Sequence, residues 1–129
     1  MKTVSFFGTC ALRGELTLVS AQVSSPFRLV GSRLKFADGC GNQMRVEIVI
    51  GPDSDAPSSG RPNGTSVLSD YGQVRYVVGN DEVVVLHHDV VVSESPAWLK
   101  IYADNTDWYE HDVLVQLFIQ PLARKEAVT

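Results

Sequence analysis

The sequence predicts an all-β fold, an antiparallel sandwich of about eight strands, and three observations carry that expectation. The first is alternation near the C-terminus. Leu99, Ile101 and Ala103 point one way and Trp98, Lys100 and Tyr102 the other; then Val113, Val115, Leu117 and Ile119 oppose Leu114, Gln116, Phe118 and Gln120. A period of two marks a strand with one side committed to a core. The second is a Val-rich apolar set, since β-branched side chains favour strands. The third is the lack of any convincing helical period, with Pro121 breaking the one segment that could be forced into a helix.

Taken in order, Thr3–Ala11 and Glu15–Val23 read as a first pair of strands around Arg13-Gly14, ended by Ser24-Ser25-Pro26. Phe27–Phe36 follows, anchored by Phe27, Leu29, Leu34 and Phe36, and Gly31-Ser32 breaks its alternation where a bulge or bend is expected. Asp38-Gly39-Cys40-Gly41-Asn42 is a turn rich in residues that tolerate positive φ. Met44, Val46, Ile48 and Ile50 then give a half-buried strand. The stretch 51–66 has three prolines, three glycines and nothing to fill a core, so it reads as a long flexible loop, an arm or a lid. Gln73–Val78 and Glu82–His87 flank Gly79-Asn80-Asp81 as an expected hairpin, and Asp89–Ser93 extends the second strand past a bulge or starts a new one. Eight strands favour a jelly-roll-like sandwich over an immunoglobulin-like one, whose Cys–Trp–Cys spacing is absent.

A chain of 129 residues with 44% hydrophobic and 20% charged residues suits one folded domain, expected over 1–122 with a frayed tail at 123–129. Its net charge of −4 and lack of a basic cluster argue against a nucleic-acid partner. No apolar run approaches the roughly 18 residues of a membrane span. Arg13 and Glu15 interrupt the N-terminal apolar stretch before it resembles an export signal, so the expectation is a protein made in the cytoplasm, with Cys10 and Cys40 as reduced thiols. In that setting the Asn63-Gly64-Thr65 glycosylation match is accidental.

Few residues suggest chemistry. His87 or His88 with His111 and a carboxylate could make a zinc site if their strands were neighbours. Asp53-Ser54-Asp55 and Asp104-Asn105-Thr106-Asp107 could offer oxygens to calcium, although Asp and Asn are equally ordinary turn formers. His87, His111, Asp104 and Asp107 are therefore the metal candidates, and no cofactor is expected. Glu82, Glu94 and Glu110 could serve a glycosidase, but no nucleophile elbow or phosphate-cradling loop accompanies them.

Aromatic residues concentrate in Trp98, Tyr102, Trp108 and Tyr109. With Lys100 they are the candidate partner-binding residues, because Trp and Tyr dominate protein interfaces and also stack on sugars. The strand pattern, and LKIYADNTDWYEHDVLVQLFI as a closing hairpin, resemble the small jelly-roll decoration proteins of tailed-bacteriophage capsids. The resemblance implies a structural protein that self-associates, typically as a trimer, and clamps a capsid lattice. A carbohydrate-binding module and a small β-sandwich hydrolase are the alternatives.

Overall fold

The computed structural model describes residues 1–24, 26–37, 39–68, 76–93 and 96–122. Eight strands and no helix are found there: β1 (Lys2–Cys10), β2 (Glu15–Val19), β3 (Phe27–Phe36), β4 (Met44–Gly51), β5 (Thr65–Ser66), β6 (Glu82–Val92), β7 (Trp98–Asn105) and β8 (His111–Pro121). They form two four-stranded sheets, ordered β1-β8-β3-β6 and β2-β7-β4-β5. Every pairing is antiparallel: β1 with β8, β2 with β7, β3 with β6 and β4 with β5, closed by β3 with β8 and β4 with β7. Such pairing is that of one long ribbon, folded back between β4 and β5 and then rolled up, which is the jelly roll. The immunoglobulin-like arrangement of seven strands split four and three does not fit it.

The inward faces are those the alternation picks out. Val113, Val115, Leu117 and Ile119 of β8 meet Leu99, Ile101 and Ala103 of β7 and Met44, Val46 and Ile48 of β4 in one core, all at most 2% exposed. Each such Leu or Ile contributes on the order of 1.5–3 kcal/mol by leaving water. In β3 the buried set runs Phe27, Leu29, then Ser32, Leu34, Phe36. That change of phase follows from the register shift between Leu29 and Gly31, the expected bulge. Across it β6 continues unbroken to Val92, so Asp89–Val92 belongs to the same strand.

Three pairings differ from expectation. β7 and β8 lie in different sheets, so 96–120 is no hairpin: its two apolar faces meet across the core rather than side by side. β1 and β2 likewise cross between the sheets at the turn around Arg13, whose φ is +49°. The hairpin expected around Gly79-Asn80-Asp81 does not form from the described residues. Val77 bridges Val46 of β4, and β6 pairs with β3 in the other sheet. Residues 73–75 and the tail 123–129 lie outside the described residues, as does Asp38 of the Gly39–Asn42 turn. That turn has positive φ at Gly39, Gly41 and Asn42, and Asn80 Oδ1 accepts from the Gly39 and Gly41 N–H groups at 3.1 and 3.0 Å.

A polar pair lies in the core. His88 Nε2 and Ser32 Oγ lie 2.9 Å apart on inward positions of β6 and β3. Burial, with a smaller push from His87, holds His88 below the ordinary histidine value of 6.5. The folded state therefore prefers the neutral ring, while the unfolded chain takes up a proton near pH 6.5. Between that pH and the lower folded value, unfolding binds protons, so stability falls as pH falls. The urea midpoint is expected to drop as pH is lowered from about 7 to about 5. A His88→Gln variant should show a shallower drop, and an equal slope would refute this assignment.

Gly64, at φ +141°, closes the loop between β4 and β5, and a Cβ there would lie 2.5 Å from Val49 Cγ1 and 2.6 Å from the Ile50 carbonyl. Gly64→Ala is expected to destabilise by about 2–4 kcal/mol, combining backbone strain with overpacking. Denaturant titration measures it, and a loss below about 0.5 kcal/mol would show that the loop is not fixed in this conformation.

Candidate partner-binding site

The outward face of β7 bears Trp98, Lys100, Tyr102 and Asp104, as alternation predicts, but it is not free. Residues 52–64 lie over it as a strap. Lys100 is 0% exposed, and its Nζ donates to Asp53 Oδ1 of the strap at 2.7 Å. Arg61 reaches the buried Glu47 through Nε and Nη2 at 2.6 and 2.5 Å. The Gly60 N–H donates to Glu15 Oε2 at 2.7 Å, and the Tyr102 hydroxyl to Glu15 Oε1 at 2.5 Å. Burial, reinforced by that carboxylate, pushes the Tyr102 hydroxyl above its ordinary range. The Tyr102 and Gly60 donors hold Glu15 below the usual carboxylate range, and Lys100 with Asn63 does the same for Asp53.

The face of β7 that carries Lys100 and Tyr102 is thus covered by a loop rather than open, and the loop is held at several points rather than free. Lys100 is an anchor for the strap, and Trp98 and Tyr102 are half-buried. The segment is also shorter than 51–66, because Gly51 ends β4 and Thr65–Ser66 is β5. Asp53, a candidate calcium ligand, spends its oxygens on Lys100 Nζ and on Asn63 Nδ2 at 3.2 Å.

The loop from β7 to β8 is different. Trp108 and Tyr109 stand 69% and 74% exposed. The loop beneath them is tied on every side by Asn105, which is itself buried. Asn105 Nδ2 donates to the carbonyls of Tyr109 at 2.8 Å and Ala11 at 3.2 Å, and Asn105 Oδ1 accepts the Asp107 N–H at 3.0 Å. Asp107 takes the Trp108 N–H at 2.7 Å and pairs with His111 Nε2 at 2.8 Å; these partners hold its carboxyl below the usual range. From the β1–β2 turn, Arg13 donates to the Thr106 carbonyl at 3.1 Å and stacks its guanidinium on Trp108, 4.8 Å from the ring centre. A stiff loop thus presents two aromatic rings to solvent, the arrangement in which binding costs least ordering entropy.

Sequence reasoning missed the second exposed feature, the outer face of the β1-β8-β3-β6 sheet. Register sets Phe7, Leu114, Lys35 and Val83 in one row across it, with Ser5, Gln116, Arg33 and Val85 in the next. Phe7, Val83 and Val85 are exposed. The signal available was Glu82–Val92 itself, which is apolar on both alternating sides, but alternation alone cannot say which side faces water.

The metal candidates do not converge. His111 and Asp107 pair with each other, while Asp104 lies on β7 opposite Glu15 and Arg45, and His87 lies on β6 opposite Gly31. Among the described residues no group of three or more His, Cys, Asp or Glu side chains is placed to share an ion. Glu94 lies outside those residues. Cys10 and Cys40 are buried and unbridged, and burial pushes both thiols up. A cleft of about 570 Å³ opens between the β5 and β6 edges, and its described lining, residues 50–52, 64–67, 90–93 and 96–97, has no acidic, basic or imidazole side chain. Ser32 and His88 are no catalytic pair, because Ser32 is fully buried and the adjacent Asp89 faces outward to Arg28 at 3.3 Å.

The strap's central ion pair is asymmetric, with Lys100 sealed and Asp53 partly in water. Removing the carboxylate strands a buried ammonium, whereas removing the ammonium leaves a carboxylate that water can reach. Asp53→Asn is therefore expected to lower the denaturation midpoint more than Lys100→Met. The reverse order in urea titrations would show that the strap does not seal Lys100 in solution.

No family model matches the chain, and no curated protein matches it in sequence. Among solved structures, it is similar to the major capsid protein P2 from bacteriophage PM2. That likeness has a TM-score of 0.42 and 14% identity, over 95% of this chain and 45% of that one. A chain in the structure of infectious bursal disease virus Gx strain is also similar, with a TM-score of 0.37 and 11% identity, over 95% of this chain and 36% of that one. The chain spans less than half the length of either, and each likeness is one of strand layout.

Proposed function

We propose that this chain is a non-enzymatic assembly protein that binds protein surfaces, its own copies included, through the Arg13–Trp108–Tyr109 tip. The observation that carries this reading is the exposure of Trp108 and Tyr109, 69% and 74%, on a loop whose polar groups Asn105 and Asp107 hold in place. Exposed aromatic rings on a preorganised loop are the anchors from which interface hot spots are built. Lys100 and Tyr102 are engaged with Asp53 and Glu15 and take no direct part in this reading. No nucleic acid, membrane or cofactor enters this reading.

The finer reading is a virion component that self-associates, as a trimer, and decorates a capsid lattice. The jelly roll hosts capsid domains and lectins alike, so topology admits both this reading and the carbohydrate-binding one. What favours the former is Trp108, one face of which is taken by Arg13. Wild-type protein is expected to run as an oligomer by light scattering, and Trp108→Ala/Tyr109→Ala as a folded monomer. A strict wild-type monomer that binds a glycan on an array would overturn the proposal in favour of the carbohydrate module.

A further inference from the structure

We infer that the outer face of the β1-β8-β3-β6 sheet receives the aromatic tip of a second copy of this chain, in a head-to-tail contact. The inference rests on the assembly reading above and adds to it the receiving surface and the identity of the partner.

Three observations lead to it. The two sheets differ on their outer faces: one is covered by its own strap, while the other exposes Phe7, Val83 and Val85. Through the middle of that uncovered face β3 sets Arg33 and Lys35 outward, both exposed, with Arg28 further along. Arg28 pairs with Asp89, but Arg33 reaches only Gln116 Oε1 at 3.4 Å, and neither Arg33 nor Lys35 has a carboxylate partner among the described residues. The chain's net charge is −4, so this stripe runs against the balance of the molecule.

The missing carboxylates stand at the tip. Glu110 stands exposed beside Tyr109, and exposed Asp81 precedes β6 at the same end of the sandwich; Asp107 is held by His111, and Asp112 lies on β8 beside Thr9, whose hydroxyl donates to it at 2.9 Å. Stacking two uncovered faces on each other would set Arg33 and Lys35 against their own copies. Setting a tip on a face instead places carboxylates against cations and aromatic rings against Phe7, Val83, Val85 and the guanidinium, a contact complementary in both charge and polarity. Donor and acceptor patches differ, so the contact is heterologous: it closes as a ring or runs on as a chain. Four strands of this length present roughly 15 by 30 Å, on the order of 450 Å². That is below the approximately 800 Å² per partner of a stable interface, so association is concentration-dependent.

The test is a charge exchange read by sedimentation equilibrium. Wild type is expected to self-associate, more weakly as salt rises to about 0.5 M. Arg33→Glu/Lys35→Glu and Glu110→Lys should each associate at least about tenfold more weakly, while an equimolar mixture recovers association, because each reversed face meets a reversed tip. Circular dichroism checks that both variants fold. A wild type that stays monomeric to about 1 mM, single variants that keep the wild-type mass, or a mixture that stays dissociated would each overturn the inference. If Trp108→Ala/Tyr109→Ala dissociates the protein and Arg33→Glu/Lys35→Glu does not, the assembly reading stands and the receiving face is wrong.

Discussion

The pairing of β8 with both β1 and β3 is the constraint on which the rest of the structure depends. The last strand of the fold lies in the middle of its sheet, hydrogen-bonded along one edge to the first strand and along the other to the third. Neither β1 nor β3 touches the other, so the sheet has no continuous ladder until β8 is in place. The inward side of β8, Val113 to Ile119, then supplies the floor on which β7 and β4 of the second sheet rest. Closing such distant pairs costs loop entropy before any burial offsets it, so the assembly is cooperative and slow relative to helical domains of similar size.

That ordering explains what could be read from the sequence. Inward and outward faces are local facts, and the alternation at Met44–Ile50, Leu99–Ala103 and Val113–Ile119 states them without help from the rest of the chain. Even the phase slip at Gly31 is written in the change from Phe27 and Leu29 to Leu34 and Phe36. Which strands pair is not local. Hairpin logic joined 73–78 to 82–87 and β7 to β8 because sequence neighbours usually lie side by side, whereas here the apolar faces of β7 and β8 are satisfied only across the core. Thr65–Ser66 was invisible as a strand, since two residues have no period to display.

Lys100 shows the same limit at the candidate site. Alternation placed its side chain on the outward face correctly, yet outward is not the same as exposed. The strap that seals it is polar, glycine-rich and proline-rich, and its attachment rests on Asp53, Gly60 and Arg61 meeting Lys100, Glu15 and Glu47, contacts that no local pattern encodes. Trp108 and Tyr109 are the opposite case, exposed in the turn between β7 and β8. They sit in a turn flanked by strands whose cores are already filled, leaving no interior for them to enter.

The strap and the tip together make the molecule polar in a directional sense. One sheet pairs its outward Glu15, Glu47 and Lys100 with its own strap, 13 residues (52–64) that contribute no core. The other leaves Arg33, Lys35, Phe7 and Val85 to water, and the tip holds two aromatic rings outside any protein surface although Asn105 and Asp107 could equally well stabilise a turn without them. A lone domain gains nothing in stability from either exposure, because each apolar side chain left in water forgoes on the order of 1–3 kcal/mol of burial. The same side chains recover that term when a partner covers them, and a tip already held rigid pays little entropy on docking. Stiffness beneath the aromatics and vacancy on the sheet are therefore the two halves of the head-to-tail contact we propose, in which burial left incomplete in one copy would be completed by contact with the next.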